Sequence, residues 1–475
     1  MALIPVCAGV FIAADDQTVV VTVLPQIMLD MKVPVAELDR ASWTITGYLL
    51  GYLAAMPLIG RLSDVWGHRR LFIFSMAAFM VGSVAVALTP SLGWLIATRV
   101  FQAVGAGALV PIAIAIAGDL FPPGRRALPL GLIGASAEAG GVIGPLWGGV
   151  VIRYLDWQWV FWINIPLGAT VLAVLVLLLR PSPRFRTAVD YLGGGLIALS
   201  LASLTLGVAR IGAPDAIMVG YVALSGGALA LFVYRQKAVA APLLPTSMFR
   251  GWAFRAANGT HLMVGGALII GMVTIPLMAN TTLALTPLEG GLRLMRLTAA
   301  IPAGAIIGGI LCQRVDYRVP AFLGLSLAAI GYSLMSGWGT DIADPILTVH
   351  LAVAGFGFGL LVAPIALAAT ESVGEENRGT AAAMVTATRM LGMTLGLAAL
   401  TAWGSVRFQG LASGLQLPFA VPGETAVQTQ KRVQEFDAQL TSAGTTLFSE
   451  FFLIAMGVCL VGLLPVSLMA WRRRR

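Results

Sequence analysis

Seven ionisable side chains stand inside long apolar runs of this 475-residue chain: Asp15, Asp16, Arg99, Glu138, Arg293, Arg296 and Arg389. An ionised group near the centre of a membrane helix costs roughly 2.5–3.5 kcal/mol on insertion scales, so such groups face a cavity or one another. Carboxylates in that setting suit binding and releasing a proton once per cycle. Glu138 lies in a Gly/Ala-rich stretch and is read either as such an acid or as a paired structural carboxylate. Adjacent Asp15 and Asp16 repel when both ionised, and because successive helical residues point about 100° apart, one faces the bundle and the other a neighbouring helix. Asp16 is taken as the coupling acid and Asp15 as its structural partner. Arg389 cannot lose its proton, so it needs a carboxylate, a carbonyl or a headgroup. It is the expected counter-ion of Asp16 or Glu138, either switching between states or permanently joining two parts of the protein. Arg293 and Arg296, spaced i and i+3, share one helix face and reach outer headgroups or substrate.

These residues require membrane helices to hold them. The chain is 58% hydrophobic and 11% charged, against about 25% charged in soluble domains. An ordinary soluble enzyme, a disordered chain and a disulfide scaffold are thereby excluded. Fourteen apolar runs each approach the roughly 20 helical residues needed to span hydrocarbon: 3–28, 44–62, 71–89, 92–118, 128–154, 159–179, 190–210, 217–234, 257–279, 291–312, 319–337, 345–370, 378–403 and 447–470. The first run carries Asp15 and Asp16 in its middle and no basic flank, and is read as a span rather than a cleaved leader. Cys7, Cys312 and Cys459 sit in apolar runs, too scattered for a disulfide or metal site, so no metal and no cofactor is expected.

The net charge of +8 suggests a nucleic-acid partner only until it is distributed among the loops. Alternate loops carry +12 on one side and −5 on the other, and the embedded residues carry +1. The positive-inside bias then places both termini, including Arg472–Arg475, and the loop arginines Arg180, Arg184 and Arg186 in the cytoplasm of a multi-pass inner-membrane protein. Two separations imply a duplicated six-span unit. Arg126 and Gly144 recur as Arg378 and Gly396 at an offset of 252, and Gly60 recurs as Gly309 at 249. The expected organisation is an N-terminal half at 1–186, two inserted spans at 187–240, and a C-terminal half at 241–475 with an outer extension at 404–446. In the extension, Val427, Val433, Phe436 and Leu440 form a helical apolar stripe continuous with the last span, about 70 Å in all. Such a stripe suits handing a lipid to an outer lipoprotein, or belongs to a surface helix folded on the mouth. Gly144-Pro145 should bend span five and allow close packing.

Four motifs carry a resemblance. The loop after span two reads Gly60-Arg61-Leu62-Ser63-Asp64-Val65-Trp66-Gly67-His68-Arg69-Arg70; span four holds Arg99-Val100-Phe101-Gln102-Ala103-Val104-Gly105; span five holds Gly140-Gly141-Val142-Ile143-Gly144-Pro145; span one reads Asp16-Gln17-Thr18. Together they resemble the major facilitator superfamily, and the span count and Trp157–Pro166 resemble its fourteen-span drug:proton antiporter branch. Ser42–Leu58, Glu138 and Arg389–Met393 are similar to mycobacterial exporters of drugs and triacylglycerol-type lipids. The resemblance implies an all-α fold of two six-helix halves plus two inserted helices, and monomeric proton-coupled export of lipophilic or amphipathic molecules by alternating access. It implies that Asp16 is the span-one acid, that Arg99 assists proton transfer or anchors helix packing, and that Gly144-Pro145 seals one conformation. Gly60, Asp64, Gly67 and Arg69 would form cytoplasmic contacts of the outward-facing state. Val65 and His68 replace basic residues of that motif, which puts its charge network in doubt. Import on the same fold and passive lipid scrambling are the alternatives. An intramembrane enzyme is disfavoured because His68, His261 and His350 look isolated in sequence.

Overall fold

The computed structural model describes residues 2–33, 38–179, 188–211, 215–413, 415 and 426–469. Arg180, Arg184, Arg186, Arg472–Arg475 and the tip of the predicted extension lie outside the described residues. Among the described residues there is no strand, and fourteen helices are long and apolar enough to cross a membrane. They are α1 (Leu3–Asp30), α2 (Leu38–Trp66), α3 (His68–Ala87), α4 (Leu92–Leu120), α5 (Ala127–Tyr154), α6 (Trp159–Leu178), α7 (Tyr191–Val208), α8 (Ala216–Ala238), α9 (Trp252–Thr281), α10 (Pro287–Arg314), α11 (Arg318–Ser336), α12 (Ile346–Glu371), α13 (Arg378–Ala412) and α14 (Ala426–Ser467). Prolines inside α1, α2, α4, α5, α9, α10 and α14 do not end these helices, as is tolerated where neighbouring helices and local adjustment satisfy the freed carbonyls.

One apolar core gathers side chains of α1–α6 around Phe72, Met76 and Ile112. A second gathers α9–α14 around Phe254, Tyr332 and Phe452. The inserted α7 and α8 pack on each other through a reciprocal Ser200–Ser225 hydrogen bond, and α7 leans on α2. Asp190, which caps α7 through Gly193 N, also holds Arg235 of α8 at 2.8 Å.

The halves meet mainly through two helix pairs, α2 with α13 and α5 with α10, flanked by smaller contacts of α4 with α13 and α5 with α12. The duplication explains why there are two. At the sequence offsets, α2 corresponds to α10 and α5 to α13, so each pair is the image of the other. A Cβ on Gly60 would lie 2.9 Å from the Gly379 carbonyl and 3.2 Å from Thr380 Cα. On Gly309 it would lie 2.8 Å from the Ala127 carbonyl and 3.1 Å from Leu128 Cα, and Ala127 and Leu128 are the counterparts of Gly379 and Thr380. Glycine is needed at both places because backbone meets backbone.

Helix α14 runs 42 residues, or about 63 Å at 1.5 Å per residue, twice the hydrocarbon thickness. Its described part lies within the expected stretch and ends at Ser467, three residues before the end of the apolar run. Helix α13, at 35 residues, also outruns a bilayer, and Arg407 binds Glu450 across the two at 2.8 Å. Val427, Val433 and Leu440 remain exposed, so this end of α14 is not folded onto the helix bundle.

Candidate functional site

Asp16 sits in a closed polar cluster inside the N-terminal half. Arg99 and Gln102, one turn apart on α4, reach its two carboxylate oxygens at 2.6 and 3.0 Å. Asn164 of α6 adds a bond of 2.9 Å, and Ser83 of α3 accepts from both Gln102 and Asn164. The Arg99 guanidinium also donates to the Asp16 carbonyl and lies 4.0 Å from the centre of the Tyr48 ring. Asp16 and Arg99 are essentially inaccessible, at 0% and 1% exposure. Each carboxylate oxygen is therefore engaged, and the cluster ties α1, α3, α4 and α6 together.

Asp15 is the opposite case. It is half-buried, and among the described residues its carboxylate makes no hydrogen bond. Asp16 is the enclosed residue and Asp15 the more exposed one, a distinction that the adjacency of the two in sequence leaves open. The reason is rotational, since α1 turns Asp16 toward α4 while the Asp15 backbone lies on the glycine face of α5. A Cβ on Gly144 would lie 2.7 Å from the Asp15 carbonyl. The α5 helix continues through Pro145 to Tyr154.

Glu138 and Arg389 form the mid-membrane link between the halves. Their helices are images of each other, and at the offset of 252 Glu138 corresponds to Met390, the neighbour of Arg389. Arg389 donates to Glu138 at 2.6 Å, with side-chain exposures of 19% and 17%. The pair is thus partly exposed, whereas the Asp16–Arg99 pair is enclosed. Arg389 Nε is buried without a partner. Helix α13 is held behind it by α9, through His261 Nδ1 to the Val385 carbonyl at 2.7 Å and Thr388 to Asn258 at 3.0 Å.

A third group closes the basic end. Asp64 accepts from Gly379 N at 2.7 Å, Thr380 N at 2.9 Å and Thr380 Oγ1 at 2.7 Å, capping α13 of the other half. An anion is favourable there because the first turn of a helix carries unpaired N–H groups and the positive end of its dipole. Arg61 donates to Asn377 at 3.1 Å, again across the halves. Gly67 adopts φ +89° in the turn into α3, a conformation that favours glycine. Arg69 donates to the Val176 carbonyl at 2.8 Å within its own half. His68 is not isolated: its Nδ1 lies 2.7 Å from Asp119 and its Nε2 3.3 Å from Asp64. The substituted motif thus still has a charge-bearing bridge, made by an imidazole.

At the other end, Arg296 is neutralised by Asp344 at 2.5 Å and donates to Thr348, while Arg293 keeps a buried Nη1 without a partner. Among the described residues no group of three His, Cys, Asp or Glu side chains is arranged to hold a metal. Gln102, Asn164, Ser83 and Tyr48 escape sequence reading because polar residues and tyrosine in apolar helices have no spacing that names their partner. Only the i, i+3 placement of Arg99 and Gln102 is visible beforehand.

The hydrogen bonds and glycine contacts that join the halves are concentrated between the basic end and Glu138–Arg389, so the protein is closed at its basic end.

Comparison with known proteins agrees with this architecture. The Major Facilitator Superfamily profile matches residues 6–397. A triacylglyceride transporter of Mycolicibacterium hassiacum is 37% identical, covering 98% of this chain and 91% of the relative. A probable triacylglyceride transporter of Mycobacterium leprae is 36% identical, covering 98% and 95%. Two solved structures share the fold: the human organic anion transporter MFSD10, with TM-score 0.63, 16% identity and coverage of 96% and 98%, and the proton:xylose symporter XylE, with TM-score 0.62, 14% identity and coverage of 96% and 94%. Two six-helix halves and two inserted helices, with glycine contacts joining the halves and relatives matched along nearly the whole chain, identify it as a membrane transporter belonging to the major facilitator superfamily.

Proposed function

We propose that this transporter exports triacylglyceride-type lipids or other lipophilic molecules in exchange for protons, by alternating access, with its basic end in the cytoplasm of an inner membrane. The observation that carries the reading is the Glu138–Arg389 pair, a partly exposed carboxylate bound to the opposite half midway along the membrane helices. Protonating Glu138 removes the charge that holds Arg389, which weakens the link and biases the halves toward another arrangement. Asp15, accessible and unbonded, is a second acid able to exchange protons in the same region, while Asp16–Arg99 holds the N-terminal half rigid. Gly60, Asp64 and Gly67 form the cytoplasmic gate, and Gly144-Pro145 lets α5 and α1 seal. A proton entering through 100 mV supplies roughly 2.3 kcal/mol. The relatives named as triacylglyceride transporters support the substrate class, and the exposed apolar stripe on α14 suits delivery of a lipid to an outer lipoprotein.

The test is transport of labelled triacylglyceride in proteoliposomes with an imposed proton gradient, comparing the intact protein with Glu138→Gln. Gradient-driven movement toward the outer-facing side, lost in the variant, is expected. Movement with the proton gradient would instead establish import, and gradient-independent movement would establish scrambling; either result overturns the reading.

A further inference from the structure

The two images of the gate differ at the residue that caps the opposing helix. At the α2–α13 seam, Asp64 caps α13 of the other half, with His68 and Asp119 beside it and Arg378 packed on Gly118. At the α10–α5 seam the same offsets place Tyr317 where His68 stands, Glu371 where Asp119 stands and Arg126 where Arg378 stands. The position of Asp64 is taken by Gln313, and that of Val65 by Arg314. The start of α5 consequently has no carboxylate: no side chain caps it and no acidic residue lies in its first turn.

The helix end alone would mean little, but it opens on a crevice of about 220 Å³ lined by Arg126, Ala127, Gln313, Arg314, Tyr317 and Glu371, among others. One water takes up roughly 30 Å³ in the liquid, so the space admits a polyatomic anion and its first waters. Arg126 points to what fits. Its side chain is 93% buried, and its Nε donates to the Phe121 carbonyl. Among the described residues neither terminal nitrogen makes a hydrogen bond, and the nearest carboxylate, Glu371, is 3.8 Å away. Burial and the neighbouring Arg378 both disfavour the Arg126 charge, and Glu371, Glu375 and Asp119 only partly offset them. A buried guanidinium with free donors at an uncapped helix start is a geometry suited to a phosphate.

We propose that this crevice binds a phosphate-type anion between Arg126, Arg314 and the first N–H groups of α5, at the place where Asp64 puts its carboxylate in the other seam. Because the crevice is walled by α5 from one half and by α10 and α12 from the other, the bound anion holds the basic end closed and so favours one side of the transport cycle. The phosphate is supplied either by a lipid headgroup of the adjoining leaflet or by free phosphate.

The experiment uses the full-length protein in lipid nanodiscs and follows its thermal melting, which does not depend on transport. One arm titrates inorganic phosphate into discs of a neutral, phosphate-free glycolipid, and the other replaces part of that glycolipid with phosphatidylglycerol. A rise in melting temperature in the first arm identifies the free anion, and a rise confined to the second identifies the headgroup. Arg126→Gln is expected to weaken the apparent affinity about tenfold or more. Gln313→Glu, which installs the carboxylate of the other seam, is expected to raise the starting melting temperature and remove the response. It also decides the matter if Arg126→Gln does not fold. No rise in either arm, or an undiminished rise in either variant, overturns the proposal.

Discussion

Replacing Asp64 by Asn isolates the contribution of charge to the closed gate. The carboxylate accepts three hydrogen bonds from the start of α13, one on Oδ1 and two on Oδ2. Asn keeps one acceptor oxygen and turns an amide donor toward donors. With its oxygen facing Gly379 N, it loses both Thr380 bonds; with its oxygen facing Thr380, it loses the Gly379 bond and sets two N–H groups against each other. Hydrogen bonds to a charged group are worth about 1.5–3 kcal/mol each, so losing two costs about 3 kcal/mol at the low end. These bonds span the two halves, so the cost falls on the closed arrangement and not on either half. At 1.4 kcal/mol per factor of ten, the closed-to-open ratio falls by roughly a hundredfold. Spin labels on the ends of α2 and α13, read by pulsed dipolar spectroscopy in nanodiscs, report that ratio directly. The variant should show a new, longer distance at the basic end, and Thr380→Val, which removes only the hydroxyl bond, should show a smaller fraction of it. Unchanged distance distributions in Asp64→Asn, with the closed state detectable in both proteins, would refute the reasoning.

Two further outcomes follow from the other contacts. Asp16→Asn leaves Arg99 charged and buried, which should cost about 3–5 kcal/mol of stability in mixed-micelle unfolding; the double variant with Arg99→Met should cost clearly less than the sum, and additivity would show that the pair is not a unit. Gly144→Ala sets a methyl group 2.7 Å from the Asp15 carbonyl, so it should cost about 1–3 kcal/mol in the same assay, whereas Gly141→Ala, whose methyl group would meet only Thr18 Cγ2 at 3.9 Å, should cost little.

The membrane character of the chain and its helix count were legible because hydrocarbon imposes a strong one-dimensional filter. A run is long and apolar enough or it is not, and α1 through α14 lie where those runs lie. The duplication was legible for a related reason, since close backbone approach leaves only glycine at Gly60 and Gly309. Helix ends were less clear. Polar turns added to α2 and α13 continue helical hydrogen bonding beyond the apolar stretch, and hydropathy does not register them.

The embedded charges show where sequence reading stops. Their identity as partners in need of partners follows from desolvation alone, and the pairing of Arg389 with a carboxylate was expected on that ground. Which carboxylate it meets depends on two helices 251 residues apart crossing at one depth. Which of Asp15 and Asp16 is enclosed depends on the rotation of α1, a matter of 100° that no local propensity controls. His68 appeared to weaken the gate until the packing of α3 against α4 set Asp119 beside it. Composition and spacing thus determined fourteen spans, a duplicated unit and a small set of embedded charged residues, because solvent sorts residues by type. Tertiary structure decided which charges are sealed, which are reachable and which join the halves, because those properties arise only when distant helices fix one another's rotation and depth.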